Sequence, residues 1–150
     1  MSKPGRSGLR LGLCCQFARE PIKFRTTTAT AMLRLSRLER LARFAELCRY
    51  NADALMASLE FCARHGIGAF RVNSQILPIK THPQAGYEIE DLPSRQAIMA
   101  RFRECGAYAR AHELRLSFHP DQFVVLNSPN PKTLAHSLAV QIGVKSDGNP

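Results

Sequence analysis

The chain has 150 residues, 45% of them hydrophobic, and 21 lysines and arginines against 12 aspartates and glutamates give a formal charge of +9. Such an apolar content excludes a disordered tail, and no run approaches the roughly 18 apolar residues of a membrane-spanning helix. Five cysteines without a C-x-x-C pair support neither a disulfide scaffold nor a cysteine zinc site, so we expect reduced thiols in a soluble, cytoplasmic protein.

Positive charge is concentrated in the first third of the chain. Residues 1–50 carry 11 basic and three acidic side chains, whereas residues 51–100 carry four and five. A basic excess of this kind favours a polyanionic partner such as nucleic acid, because binding neutralises phosphates and releases their counterions. A solvated face rich in arginine is the alternative interpretation, and the charge alone favours neither.

The first half of the chain predicts a tail, a strand, a polar loop and one long helix. Residues 1–8 are a basic tail rich in Ser and Gly, and apolar residues alternate over residues 9–13, which predicts a strand. Ser36 and Glu39 have the spacing of a capping box, which opens a helix. Apolar residues then recur every three or four positions until Gly66. Because alanine and cysteine fill half of this seam and a strand follows directly, a core-facing helix is favoured over a coiled coil.

The second half continues the alternation of strands and helices. Residues 69–73 and 114–118 predict two more strands, and Ser94 is a candidate cap for the helix between them. Asn130 and Pro131 supply an N-cap and a first-turn proline for a further helix. This alternating order of strands and helices predicts an α/β fold with a parallel sheet, either a barrel segment or a doubly wound layer. No glycine-rich loop follows the first strand, which disfavours a dinucleotide fold.

Two histidines follow predicted strands at their carboxyl ends, where βα folds gather functional groups. His119 comes directly after the third strand, His82 lies in the long loop after the second, and each precedes a proline. A histidine at a strand end is a frequent metal ligand. A capped loop histidine is the alternative for each one alone, but the equivalent placement of the two favours a metal site.

A series of motifs runs through the chain in a recognisable order: Arg10-Leu-Gly-Leu-Cys-Cys15, Phe24-Arg-Thr-Thr-Thr28, Leu33-Arg-Leu35, Asn51, Phe70-Arg-Val-Asn73, Leu77-Pro78, Thr81-His-Pro83, His119-Pro-Asp-Gln-Phe123 and Asn127-Ser-Pro129. Together they resemble the N-terminal half of the UV damage endonuclease family. The resemblance implies an α/β fold of the TIM (β/α)8 barrel family, of which only about the first three βα units would be present. It divides the chain into a flexible tail (1–8), a partial barrel domain (9–139) and a divergent C-terminal tail (140–150).

The resemblance also implies a function. A family member would incise double-stranded DNA on the 5′ side of UV photoproducts in a hydrolysis that depends on divalent metal ions, Mn2+ first and Mg2+ as the alternative. It would work in the cytoplasm in association with the nucleoid. His82 and His119 would be metal ligands. The candidate DNA-binding residues are Gln122 and Phe123, inserted at the lesion, together with Arg25, Arg34 and Arg71.

Some features depart from the family pattern and leave alternatives open. Family members place an aromatic residue where this chain has Leu13, and the remaining carboxylate ligands would lie beyond Pro150, in a missing C-terminal half. Phe123 also begins an apolar run and could belong to the core. The alternatives in function are a non-catalytic DNA-binding fragment, or a related metal-dependent barrel enzyme such as an abasic-site nuclease or a sugar isomerase.

Overall fold

Three parallel strands with helices between them organise the chain. The computed structural model describes residues 10–118 together with Pro129, Pro131 and Lys132. Several expectations fall outside this part of the chain: the tails, the helix from Asn130, and the candidate residues His119, Gln122 and Phe123.

The sheet has β2 at its centre. Strand β1 (Gly12–Cys14) pairs in parallel with β2 (Ala69–Val72), and β2 pairs in parallel with β3 (Arg115–Phe118). Phe70 stands opposite Leu13 on one side and opposite Leu116 on the other. The predicted parallel sheet is therefore confirmed, although each strand is shorter than its apolar pattern.

The predicted long helix forms without interruption. Helix α2 (Arg37–Arg64) follows a short helix α1 (Ala29–Leu33), and its first turn contains the predicted capping box. The backbone N–H of Glu39 donates to Ser36 Oγ at 3.3 Å, and that of Ser36 donates to Glu39 Oε2 at 3.0 Å. The Ser36 hydroxyl, which donates to Glu39 Oε2 at 2.6 Å, and the Ser36 backbone N–H together lower the pKa of the Glu39 carboxyl. Gly66, at φ +67, follows the C-terminal end.

Two local expectations were wrong. Helix α1 occupies a segment that was expected to be a polar loop; its five residues are too few for a periodic pattern, and Thr28 caps it through its side chain. Helix α3 (Arg95–Ala111) begins after Ser94 as expected, but Ser94 makes no side-chain cap. The φ angle of Ser94, +59, lies in the left-handed region, whereas a residue that caps a helix through its side chain needs extended backbone.

Two apolar clusters hold α2 against the sheet and against α3. One cluster includes Leu59, Phe70 and Cys105, so the helices cover the face of the sheet to which Phe70 points. In the other, the ring of Phe44 stacks on Tyr87 with 4.3 Å between centroids.

No helix among the described residues has the length and apolar character needed to cross a membrane.

Candidate functional site

The carboxyl ends of β1 and β2 border an open, polar cavity of about 560 Å3, here called the strand-end cavity. The segment after β1 contributes one wall and the loop after β2 contributes the other, because parallel strands end at the same edge of the sheet. The polar and charged residues that line it are Gln16, Lys23, Arg25, Thr26, Asn73 and Gln75.

Asn51 of α2 joins the two walls of the strand-end cavity. Its side chain is fully buried, and its Oδ1 accepts a hydrogen bond from the backbone N–H of Arg25 at 2.8 Å. Its Nδ2 donates to the carbonyl oxygens of Arg25, at 2.9 Å, and Ile76, at 3.0 Å. One amide therefore fixes the backbone on both sides. The sequence analysis placed Asn51 in a motif but did not predict this role. The signal that could have predicted it is a polar residue within the buried stripe of a helix.

Arg25 is the only candidate DNA-binding arginine that lines the strand-end cavity in the described part of the chain. Its guanidinium carbon lies 3.8 Å from the ring centroid of Tyr50, a cation–π contact that orients the side chain. Next to it, Thr26 Oγ1 donates a 2.6 Å hydrogen bond to Gln75 Oε1 across the cavity. A held cation beside amide groups is suited to binding an anion such as a phosphate.

The two other candidate arginines lie elsewhere. Arg34 is exposed at the C-terminal cap of α1. Arg71 is exposed on β2, and because neighbours along a strand point to opposite faces, it projects from the face that the helices leave open. The structure therefore brings one of the three arginines to the cavity.

Leu13, where the family has an aromatic residue, packs against the apolar core.

His82 lies in a tightly turned loop and is half-buried. Its ring Nδ1 accepts hydrogen bonds from the backbone N–H groups of Gln84, at 3.2 Å, and Ala85, at 3.1 Å. A neutral imidazole that accepts at Nδ1 carries its proton on Nε2, so neither nitrogen has a free lone pair. In this orientation the ring does not fit a metal ligand.

Metal binding by His82 would require the ring to turn by half a revolution about its Cβ–Cγ bond, which moves Nδ1 away from the two amides. Among the described residues no group of three or more His, Cys, Asp or Glu side chains is placed to hold an ion. The expected partner ligand, His119, lies outside those residues.

We expect the loop to tolerate asparagine better than alanine at His82. In His82→Asn the side-chain oxygen can accept the amide hydrogens as in an Asx turn, whereas His82→Ala leaves both amides without that acceptor. The alanine variant should lose about 1 kcal/mol of unfolding free energy, and the asparagine variant less than half of that. Urea unfolding of both variants measures the difference, and equal losses would show that the ring does not order the loop.

Comparisons with known proteins agree with the motifs. The model of the family UV-endonuclease UvdE matches residues 9–141. The UV DNA damage endonuclease of Nostoc sp. is 30% identical over 131 residues, which cover 87% of this chain and 39% of that protein. The enzyme of the same name from Bacillus velezensis is 31% identical over 133 residues, covering 89% of this chain and 39% of that protein.

A solved structure shows the same fold. The structure described as "Crystal Structure of SacUVDE" superposes with a TM-score of 0.76 at 23% identity, covering 93% of this chain and 44% of the other. The predicted α/β fold of the TIM-barrel family is thereby confirmed for the region present. The chain spans about two fifths of the length of the curated relatives named above. Because the family model extends across nearly all of the sequence, the chain belongs to the UV-endonuclease UvdE family.

Proposed function

We propose that this chain acts in DNA repair as part of an endonuclease that incises double-stranded DNA on the 5′ side of UV photoproducts. The observation that carries the proposal is the match of the family model to residues 9–141. The relatives from Nostoc sp. and Bacillus velezensis are named UV DNA damage endonucleases, and DNA is the substrate which that name implies. A protein with this substrate would work at the nucleoid, in the cytoplasm.

The strand-end cavity supports a DNA-binding role. Two of its lining side chains, Lys23 and Arg25, are cationic, and no carboxylate lines it among the described residues. Phosphate groups carry most of the affinity for DNA, while amide side chains can hydrogen-bond to phosphates or base edges. We propose that this cavity receives the sugar–phosphate backbone beside the lesion, and that Gln122 and Phe123 enter the duplex there. Arg34 and Arg71 would add phosphate contacts.

The proposal includes dependence on a divalent ion, with Mn2+ favoured over Mg2+. Such an ion would act as a Lewis acid at the phosphate that is cut. His119 is the first proposed ligand, and His82 would join it only after its ring has turned. If His82 is a ligand, both His82→Asn and His82→Ala should abolish binding of Mn2+. Retained Mn2+ binding by His82→Asn would mean that His82 only orders its loop.

The test of the activity is nicking of supercoiled plasmid by a protein that continues this chain to the full length of its relatives. The chain by itself, which spans about two fifths of that length, is expected to bind DNA without cutting it. Irradiated and intact plasmids are compared with and without Mn2+, and the position of the cut is mapped on a duplex with a single photoproduct. Cutting on the 5′ side, only of irradiated DNA and only with metal, is the expected result. Salt-sensitive binding without cutting by the full-length protein would favour a non-catalytic DNA-binding role, and equal cutting of abasic and irradiated DNA would favour an abasic-site nuclease.

A charge variant tests the role of the strand-end cavity. Lys23→Gln combined with Arg25→Gln should weaken binding to irradiated and intact duplexes alike, because phosphate contacts do not read the lesion. The slope of log K against log salt should become less steep by about 2, since each lost phosphate contact contributes about 0.9. Arg103→Gln, at an exposed position of α3 outside the cavity, is the matched control. An unchanged slope in the double variant would contradict the assignment.

A further inference from the structure

Two adjacent thiols lie together at the carboxyl end of β1. The Sγ atoms of Cys14 and Cys15 are 3.4 Å apart. Cys14 is exposed and Cys15 is partly exposed, whereas the other three cysteines of the chain are buried. The pair is therefore the thiol group of this protein that a reagent in solution reaches first.

The backbone brings these sulfurs together. Along an extended strand, consecutive side chains point to opposite faces, so adjacent cysteines do not normally meet. Here Cys15 adopts a left-handed conformation, with φ +60, that is uncommon for residues other than Gly, Asn or Asp. Its N–H donates to the carbonyl oxygen of Arg71 at 2.9 Å, and the N–H of Gln16 donates to that of Cys14 at 2.6 Å. Strained backbone of this kind occurs preferentially at functional positions.

The protonation of Cys15 limits the chemistry of the pair. Burial and the neighbouring Cys14 raise the pKa of the Cys15 thiol to about 11, and the positive charge of Arg71 offsets only part of this shift. At neutral pH Cys15 is a thiol and a poor nucleophile. A disulfide between adjacent residues is also strained, because their Cα atoms are about 3.8 Å apart and disulfides normally need at least about 4.4 Å. A ligand that bridges the two sulfurs without joining them fits this geometry better.

We propose that Cys14 and Cys15 form a binding site for trivalent arsenicals. An arsenic atom with hydroxyl groups condenses with two thiols, as in R–As(OH)2 + 2 R′SH giving R–As(SR′)2 + 2 H2O. Each thiol proton leaves with a hydroxyl group as water, and no electron is transferred, so neither a thiolate nor an oxidant is consumed. The product is neutral and therefore compatible with Arg71, which pairs with Cys14 across the sheet.

The second arsenic–sulfur bond forms within the same protein molecule. This second bond makes arsenicals bind the site in preference to a single thiol elsewhere in the chain. Joining two binding events raises affinity by about 10²–10⁴-fold over either one alone. Phenylarsine oxide is the probe. Native protein should take up one phenylarsenic group, observed by intact mass spectrometry. A dithiol such as dithiothreitol should release it, whereas a monothiol at the same concentration of thiol groups should not.

Variants locate the site. Cys14→Ser and Cys15→Asn should each bind phenylarsine oxide about 10²–10⁴-fold more weakly, and asparagine tolerates the left-handed backbone at position 15. Cys62→Ala, which removes a buried thiol, is the matched control and should keep the adduct. Circular dichroism checks that each variant is folded. An adduct that survives both pair variants, or native protein that takes up no arsenic while urea-unfolded protein does, would overturn the proposal. So would isolation of the pair as a disulfide under air.

Discussion

Replacement of Asn51 by aspartate is expected to lower the free energy of unfolding by about 3 to 4 kcal/mol, because two carbonyl oxygens, one in a buried and one in a part-buried contact, lose their hydrogen-bond donor. Those oxygens belong to Arg25 and Ile76 and lie 2.9 and 3.0 Å from Asn51 Nδ2. The introduced carboxylate would instead direct negative charge at them. Since Asn51 holds both walls of the strand-end cavity, affinity for DNA should fall together with stability.

The effect of Asn51→Asp should depend on pH in a definite direction. Burial raises the pKa of a carboxyl group, and a protonated carboxyl can still donate one hydrogen bond. A group whose pKa is raised on folding stabilises the protein at low pH. This contribution is lost as the pH rises through the pKa of the group in the folded state. The deficit relative to the unsubstituted chain should therefore be smallest in acid and grow toward neutral pH.

Ser58→Ala is the matched control for Asn51→Asp. Ser58 is equally buried in α2, but its hydroxyl donates only to the carbonyl oxygen of Ala54 in the same helix, at 2.7 Å. Alanine is a better helix former than serine, so the loss should stay below about 1 kcal/mol. Urea unfolding of both variants gives the comparison. Similar losses would mean that the hydrogen bonds across the cavity contribute no more than one within a helix.

Gly86→Ala is the second substitution with a large expected effect. A Cβ atom at this position would overlap the backbone carbonyl oxygens of Lys80 and His82. The same two oxygens accept hydrogen bonds from Tyr87 N–H, at 3.2 Å, and Gly86 N–H, at 2.8 Å. The loop must therefore open to admit a methyl group, which costs about 2 to 3 kcal/mol.

The disturbance from Gly86→Ala should concentrate around His82. Amide hydrogen exchange should accelerate at residues 84–87, whose N–H groups bond within this loop. Gly106→Ala is the control: Gly106 lies inside α3, and only the end of the Arg110 side chain comes near the place that a methyl group would take, at 3.5 Å. It should stabilise the protein by about 0.5 to 1 kcal/mol. Exchange that remains slow at residues 84–87 in Gly86→Ala would show that the loop accommodates the methyl group.

The candidate site was only partly predictable from the sequence. The basic character of the first third of the chain pointed to the region of Arg25, which does line the strand-end cavity. Sequence reasoning treated Arg25, Arg34 and Arg71 as equivalent. The fold separates them, because the contact of Arg25 with Tyr50 and the anchoring by Asn51 are made between residues that only folding brings together.

The sequence by itself determined the order of the three strands and the two long helices among the described residues, and the start of α2. The capping box of Ser36 and Glu39 and the end near Gly66 depend on residues within one helical turn, so local pattern suffices to predict them. Only the tertiary structure decided the left-handed backbone at Cys15 and the orientation of the His82 ring. Cys15 is held by the carbonyl of Arg71 on a neighbouring strand, and His82 is held by backbone amides that face it only because the loop folds back. Such conformations depend on contacts whose geometry no periodicity encodes, and hence they emerge only when the chain has folded.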